Sequence, residues 1–198
     1  MSVAPATACD TDGEISSRFV IAGGPGSGKS TLLHALAASG EICHEEDARV
    51  LIREQMSQGG GALPWDDLGA FAEGCGERMR AQLQQCTHAE RCFFDRGLPD
   101  LIGYLNHGGG EAPQPWRAAS RGYARTVFFA PPWRDIYVND PERPQTFAVA
   151  QALSAHIRLA YRDCGFRLID LSMASVADRV RQVLHFLDTN YRKVSTYG

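Results

Sequence analysis

The clearest chemistry in this 198-residue sequence lies in one run: Gly23, Gly24, Pro25, Gly26, Ser27, Gly28, Lys29, Ser30 and Thr31. It fits the spacing G-x-x-x-x-G-K-[ST]. Glycines, lacking Cβ, let successive backbone N–H groups turn inward and approach phosphate oxygens. A helix starting at Lys29 would aim its N-terminus at the same anion. Lys29 supplies a point charge at the β- and γ-phosphates, and Ser30 a hydroxyl for Mg²⁺. The bland alternative is a glycine-rich turn that merely precedes a lysine. The apolar run RFVIA before it and Leu32, Leu33 and Leu36 after it supply the strand–loop–helix context a phosphate loop requires. ATP with Mg²⁺ is the expected ligand.

Such a loop needs a second acid near the metal, at the tip of a buried strand. Asp95 follows Cys92-Phe93-Phe94, which read as core, and Arg96 follows it directly. Asp95 is either a magnesium partner or a base toward an attacking hydroxyl. A strand-ending aspartate that caps the next turn is the structural alternative.

Weaker signals surround these. Glu46 and Arg49 form either an exposed ion pair at a helix start or one wall of an acceptor pocket. Arg134 and Arg143 lie in a proline- and charge-rich segment, about residues 131–144, read as a lid over the phosphates rather than a solvated loop. His44-Glu45-Glu46 lacks a third metal ligand and reads as surface. Arg117, Arg121 and Arg125 read as one solvated helix face. No N/T-K-x-D element for guanine is present.

These residues need a scaffold, and the hydrophobic pattern provides one. Short apolar strands are expected at Arg18–Ala22, Glu41–Glu45, Arg91–Asp95, Thr126–Ala130 and Phe166–Leu171. Helical spacing follows from Lys29, from Asp47 with Val50, Leu51 and Met56 inward, from Leu68 to Cys86, and from Leu98 to Asn106. It recurs from Phe147 to Cys164 and after a Ser175 cap. Alternating strands and helices predict an α/β fold of three layers: a five-stranded parallel sheet with helices on both faces, plus the lid segment. The expected organisation is a loose tail over 1–17, one domain over 18–190 and a short tail over 191–198.

Composition sets outer limits. With 20 Lys+Arg against 23 Asp+Glu, the net charge of −3 gives no polybasic surface for nucleic acid or anionic lipid. No apolar run approaches the roughly 20 residues that span a bilayer. Cys9, Cys43, Cys75, Cys86, Cys92 and Cys164 show no C-x-x-C pair and no histidine at zinc spacing. They are expected to be reduced structural thiols in a cytoplasmic protein.

The blocks GGPGSGKST, Glu46-Asp47-Ala48-Arg49, FFDRGLPD (Phe93 to Asp100) and PPWRDIYVNDPERPQTF (Pro131 to Phe147) resemble, in this order, P-loop nucleoside and nucleotide kinases. More narrowly, the chain from about 18 to 190 resembles the AAA-28-type ATPase/kinase family and the ribosylnicotinamide-kinase domain. The resemblance implies a P-loop NTPase fold. It implies Asp95 and Arg96 at the phosphoryl-transfer centre, Arg134 and Arg143 on a lid, and Glu46 and Arg49 at the acceptor. The chain is too short for a ring-forming AAA+ module with its helical domain. The expected function is transfer of the γ-phosphoryl group of ATP to a small acceptor such as a nucleoside or nucleotide. The rival is a slowly hydrolysing regulatory switch that acts through a protein partner.

Overall fold

Side chains that alternate along three strands divide the interior into two cores. In β1 (Arg18–Ala22), Val20 and Ala22 join one hydrophobic cluster while Phe19 and Ile21 join the other. In β3 (Cys92–Asp95) and β4 (Thr126–Phe129), Cys92, Phe94, Val127 and Phe129 meet the first cluster, Phe93 and Phe128 the second. Successive strand residues face opposite ways, so strands covered on both sides are apolar along most of their length. The computed structural model describes residues 17–45, 48–86, 91–138 and 145–191. It assembles a five-stranded parallel sheet in the order β2-β3-β1-β4-β5, with β2 (Ile42–His44) and β5 (Arg167–Asp170) at its edges.

Helices cover both faces. α1 (Lys29–Ala38) and α7 (Val176–Asn190) close the second core with Leu32, Leu33, Leu36, Val183 and Leu187. On the first core lie α2 (Ala48–Gln58), α3 (Leu68–Gln85), α4 (Leu98–His107), α5 (Gln114–Ala119) and α6 (Phe147–Asp163). Asp67, Thr146 and Ser175 cap α3, α6 and α7 by accepting the N–H of Ala70, Val149 and Asp178. Ile21 of β1 is in register with Asp95 of β3, so the loop leaving β1 and the turn leaving β3 emerge side by side. Ligands of open parallel sheets bind at this carboxyl edge. Among the described residues no helix is long and apolar enough to cross a membrane.

The structure departs from the sequence expectations in four places. Edge strands β2 and β5 are shorter than expected, since each has one neighbour to pair with. In α2 the buried pair is Leu51 and Ile52, while Val50 and Met56 are 37% and 64% exposed. Arg117, Arg121 and Arg125 do not share a helix, because α5 stops at Ala119 and a single 3₁₀ turn, Ser120–Gly122, follows. Trp116, fully buried, pins that short helix to the core.

The fourth concerns the thiols. Cys86 and Cys92 form a disulfide, against the expectation that every cysteine is reduced. Cys86 ends α3 and Cys92 opens β3, and the connection brings their Cα atoms to 6.6 Å, within bridging range. Cys43 and Cys164 remain thiols, and burial pushes Cys43 up to about 11. Cys9, Asp47 and nearly all of both expected tails lie outside the described residues.

Candidate active site

The loop from Gly23 to Gly28 is held by its own polar groups. Gly26 has φ +70°, and a Cβ there would lie 2.4 Å from the Tyr137 ring, so only glycine fits. Ser27 Oγ donates to the Gly24 carbonyl at 2.8 Å, and Lys29 Nζ donates to the same oxygen at 2.7 Å. Lys29 is only 5% exposed, an unusual state for an ammonium group. Ser30, in the first turn of α1, donates from Oγ to Asp95 Oδ2 at 2.7 Å.

Arg96 is the only non-glycine residue with positive φ among those described, at +78°. Its guanidinium is buried, donates from Nη1 to the Gly23 carbonyl at 3.0 Å, and lies over the Tyr104 ring at 5.4 Å. Asp100, fully buried, ties the same region together. Its Oδ2 accepts the Gly97 N–H at 2.9 Å and the Tyr161 hydroxyl at 2.5 Å. Its Oδ1 accepts the Gly23 N–H at 3.4 Å and lies 3.6 Å from Arg96 Nη1. Burial pushes the Asp100 carboxyl up, against the pull of Arg96, Tyr161 and the Gly97 amide. Sequence reading passed over Asp100, although an acid three residues after Gly97, at the start of a helix opened by Leu98-Pro99, is a capping signal.

Lys29, Ser30, Asp95 and Arg96, though not Asp100, line one end of a cavity of about 480 Å³. That end carries Gly26, Gly28, Lys29, Ser30, Thr31, Asp95 and Arg96. The other is a largely apolar wall of Ile52, Pro64, Leu68, Phe71, Met79 and Leu101, with Tyr104 between the two. The donors at the polar end suit the expected ligand: a hydroxyl and a carboxylate are hard oxygen groups of the kind Mg²⁺ takes, and the ammonium and guanidinium suit phosphate.

The remaining predicted residues fare unevenly. Arg134 is exposed in a 3₁₀ turn, Arg134–Ile136, outside the cavity, with its guanidinium over the Phe147 ring at 5.0 Å. Arg143 and Glu46 lie outside the described residues. Arg49 belongs to α2, whose Ala48 and Ile52 reach the cavity. His44, expected at the surface, is half-buried and stacked on Phe94 at 4.7 Å, with its ring nitrogen near the sulfurs of Cys86 and Cys92. Glu45 pairs instead with His34 at 3.1 Å.

The AAA-28 family model, described as an AAA domain, matches residues 18–179. The chain belongs to that family. No curated protein sequence matches this AAA-28 chain. Among solved structures, deoxyadenosine kinase from M. mycoides, with dCMP and dCDP bound, superposes with a TM-score of 0.63 at 14% identity, covering 87% of this chain and 98% of that one. Thymidylate kinase from Candida albicans gives 0.52 at 15% identity, covering 89% and 92%. Shikimate kinase from Acinetobacter baumannii, in complex with shikimate, gives 0.53 at 19% identity, covering 91% and 97%. At these identities the likeness is one of fold: this AAA-28 chain has the P-loop kinase-like α/β architecture.

Proposed function

We propose that the protein is an ATP- and Mg²⁺-dependent phosphotransferase that moves the γ-phosphoryl group to a small acceptor of the nucleoside or nucleotide class. One observation carries this reading. Lys29, Arg96 and the Ser30–Asp95 pair stand at one end of a cavity whose other end is an apolar wall large enough for a second small molecule. The apolar lining beyond the phosphate loop suits an organic acceptor, whereas hydrolysis would need only water there. Two of the three kinases of similar fold are named for a nucleoside or nucleotide, which lends it support, while the third is named for shikimate, a hydroxy acid.

In this reading ATP supplies the phosphoryl group and Mg²⁺ screens its charge when bound. Ser30 and Asp95 would hold the metal, and the loop amides from Gly24 to Thr31 would cradle the phosphates. Lys29 and Arg96 would donate to the oxygens that gain charge during transfer, and Asp100 would hold Arg96 in place. Arg134 would join them only after its segment moves, since it now rests on Phe147. Ile52, Phe71 and Met79 would exclude water, and Tyr104 would align the acceptor hydroxyl. Positioning and charge stabilisation supply most of the catalysis in such sites. Arg143, Glu46 and Arg49 belong to the same proposal, as lid and acceptor residues, and a cytoplasmic setting would provide the nucleotide. The test is ADP release from ATP alone and with a panel of nucleosides, nucleotides and hydroxy acids. Acceptor-stimulated release is expected; release stimulated only by a protein partner would favour the switch.

A further inference from the structure

Arg179 of α7 is the largest buried charge that the proposed mechanism leaves unused. It is 2% exposed, and no carboxylate contacts it among the described residues. Its Nε donates to the Ser172 carbonyl at 2.8 Å and its Nη1 to the Ser27 carbonyl at 2.9 Å. Its Nη2 has no partner among the described residues, and the guanidinium lies 5.1 Å from the centre of the Trp133 ring. Burial alone acts on it, lowering its pKa. A buried cation without a counter-ion is costly, so its place in the fold calls for a reason.

Geometry supplies one. The peptide between Ser27 and Gly28 is trans, so its C=O and N–H point in opposite directions. Arg179 takes the Ser27 carbonyl of this peptide, and Gly28, which carries its N–H, lines the cavity where Arg179 does not. The guanidinium therefore fixes the plane of this peptide, with its N–H turned away from the carbonyl that Arg179 holds. A cation on the carbonyl also polarises the amide and makes its N–H a stronger donor. Gly28 is necessarily small: its φ is +81°, and a Cβ would lie 3.2 Å from Arg179 Nη1. We propose that Arg179 is a positioning residue for nucleotide phosphate, acting through the Ser27–Gly28 peptide and linking that peptide to Ser172 and to Trp133.

The inference rests on the nucleotide reading above, and the experiment separates the two. ADP, AMP and adenosine are titrated calorimetrically into wild-type, Arg179→Met and Arg179→Lys protein, with thermal melts to confirm folding. In that reading the Gly28 amide would meet the β-phosphate, so Arg179→Met should weaken ADP on the order of tenfold. Adenosine and AMP should change less than twofold. Arg179→Lys, which keeps one charged donor, should recover part of the loss. The Gly28 amide resonance in ¹⁵N-labelled protein without ligand should shift in Arg179→Met and move back in Arg179→Lys. Equal weakening of ADP, AMP and adenosine, or a folded Met variant with wild-type ADP affinity, would overturn the role of Arg179 alone. A wild-type protein that binds none of the three while its Gly28 amide responds would overturn the nucleotide reading, and this role with it. If Arg179→Met does not fold, the Lys variant decides: unchanged ADP affinity with an unchanged Gly28 resonance overturns the proposal.

Discussion

The hydroxyl of Ser30 and the carboxylate of Asp95 meet at 2.7 Å, joining the first turn of α1 to the end of β3 across 65 residues of sequence. Neither group needs the other for the fold, because Ser30 is exposed and α1 is anchored by Leu32, Leu33 and Leu36. In the proposed function the pair would hold Mg²⁺. Asp95→Asn keeps the shape and removes the charge. It should reduce Mg²⁺-dependent turnover at least tenfold and leave metal-free ADP binding nearly unchanged. Equal losses in both assays would make Asp95 a brace for the loop.

Lys29→Ala should lower ATP turnover on the order of a hundredfold, because charge-assisted phosphate contacts in a water-poor site act strongly on the transition state. The fold should survive: the Gly24 carbonyl that Lys29 now occupies also accepts from Ser27 Oγ. Circular dichroism with an ADP-release assay checks both halves.

Arg134 should become less accessible when an ATP analogue binds. It is exposed now, and among the described residues its guanidinium rests on the Phe147 ring, a contact of modest strength. Limited trypsin digestion, with cleavage after Arg134 read by mass spectrometry, should slow several-fold with the analogue. Identical rates with and without it would reassign the segment to an ordinary loop.

Asp100 should give stability a dependence on pH of unusual sign for an acid. Its carboxyl is raised by burial, so the folded state holds the proton more tightly than the unfolded chain. The advantage is complete below the unfolded value near pH 4 and is lost as pH rises through the folded value. The stability difference between wild type and Asp100→Asn should therefore be largest in acid and shrink toward neutrality. Chemical denaturation at pH steps measures it; a difference that grows with pH would contradict the assignment.

Reduction of the Cys86–Cys92 disulfide should cost about 2 kcal/mol, the loop-entropy value for so short a ring. Urea unfolding with and without reductant measures this, and thiol alkylation counts the sulfurs released. No change in the unfolding midpoint would mean that the bridge adds nothing to the fold.

The residues show why some of this was legible in the sequence. The loop from Gly23 to Thr31 declares itself because backbone curvature, charge and hydroxyl all lie within nine residues. The central strands were legible because burial on both faces leaves the runs from Phe19 to Ala22 and from Val127 to Phe129 wholly apolar. Arg179 was not. It stands among Val176, Val180 and Val183, and its meaning depends on Ser27, 152 positions away. Val50 and Met56 misled for the converse reason: an apolar residue on an amphipathic helix does not reveal which face its neighbours will cover. Cys86 and Cys92 meet where α3 ends and β3 begins, with Cα atoms 6.6 Å apart, a closeness that their spacing permits but does not require.

The left-handed backbone at Arg96 has a further consequence. On a continuing strand, residues 95 and 96 would leave on opposite sides of the sheet, one toward each core. The positive φ breaks that phase, so both side chains serve the same cavity. Acid and cation are then adjacent links of one chain, and covalent bonds fix their separation. Thermal breathing of the sheet can carry the two charges toward or away from a ligand, but it carries them together.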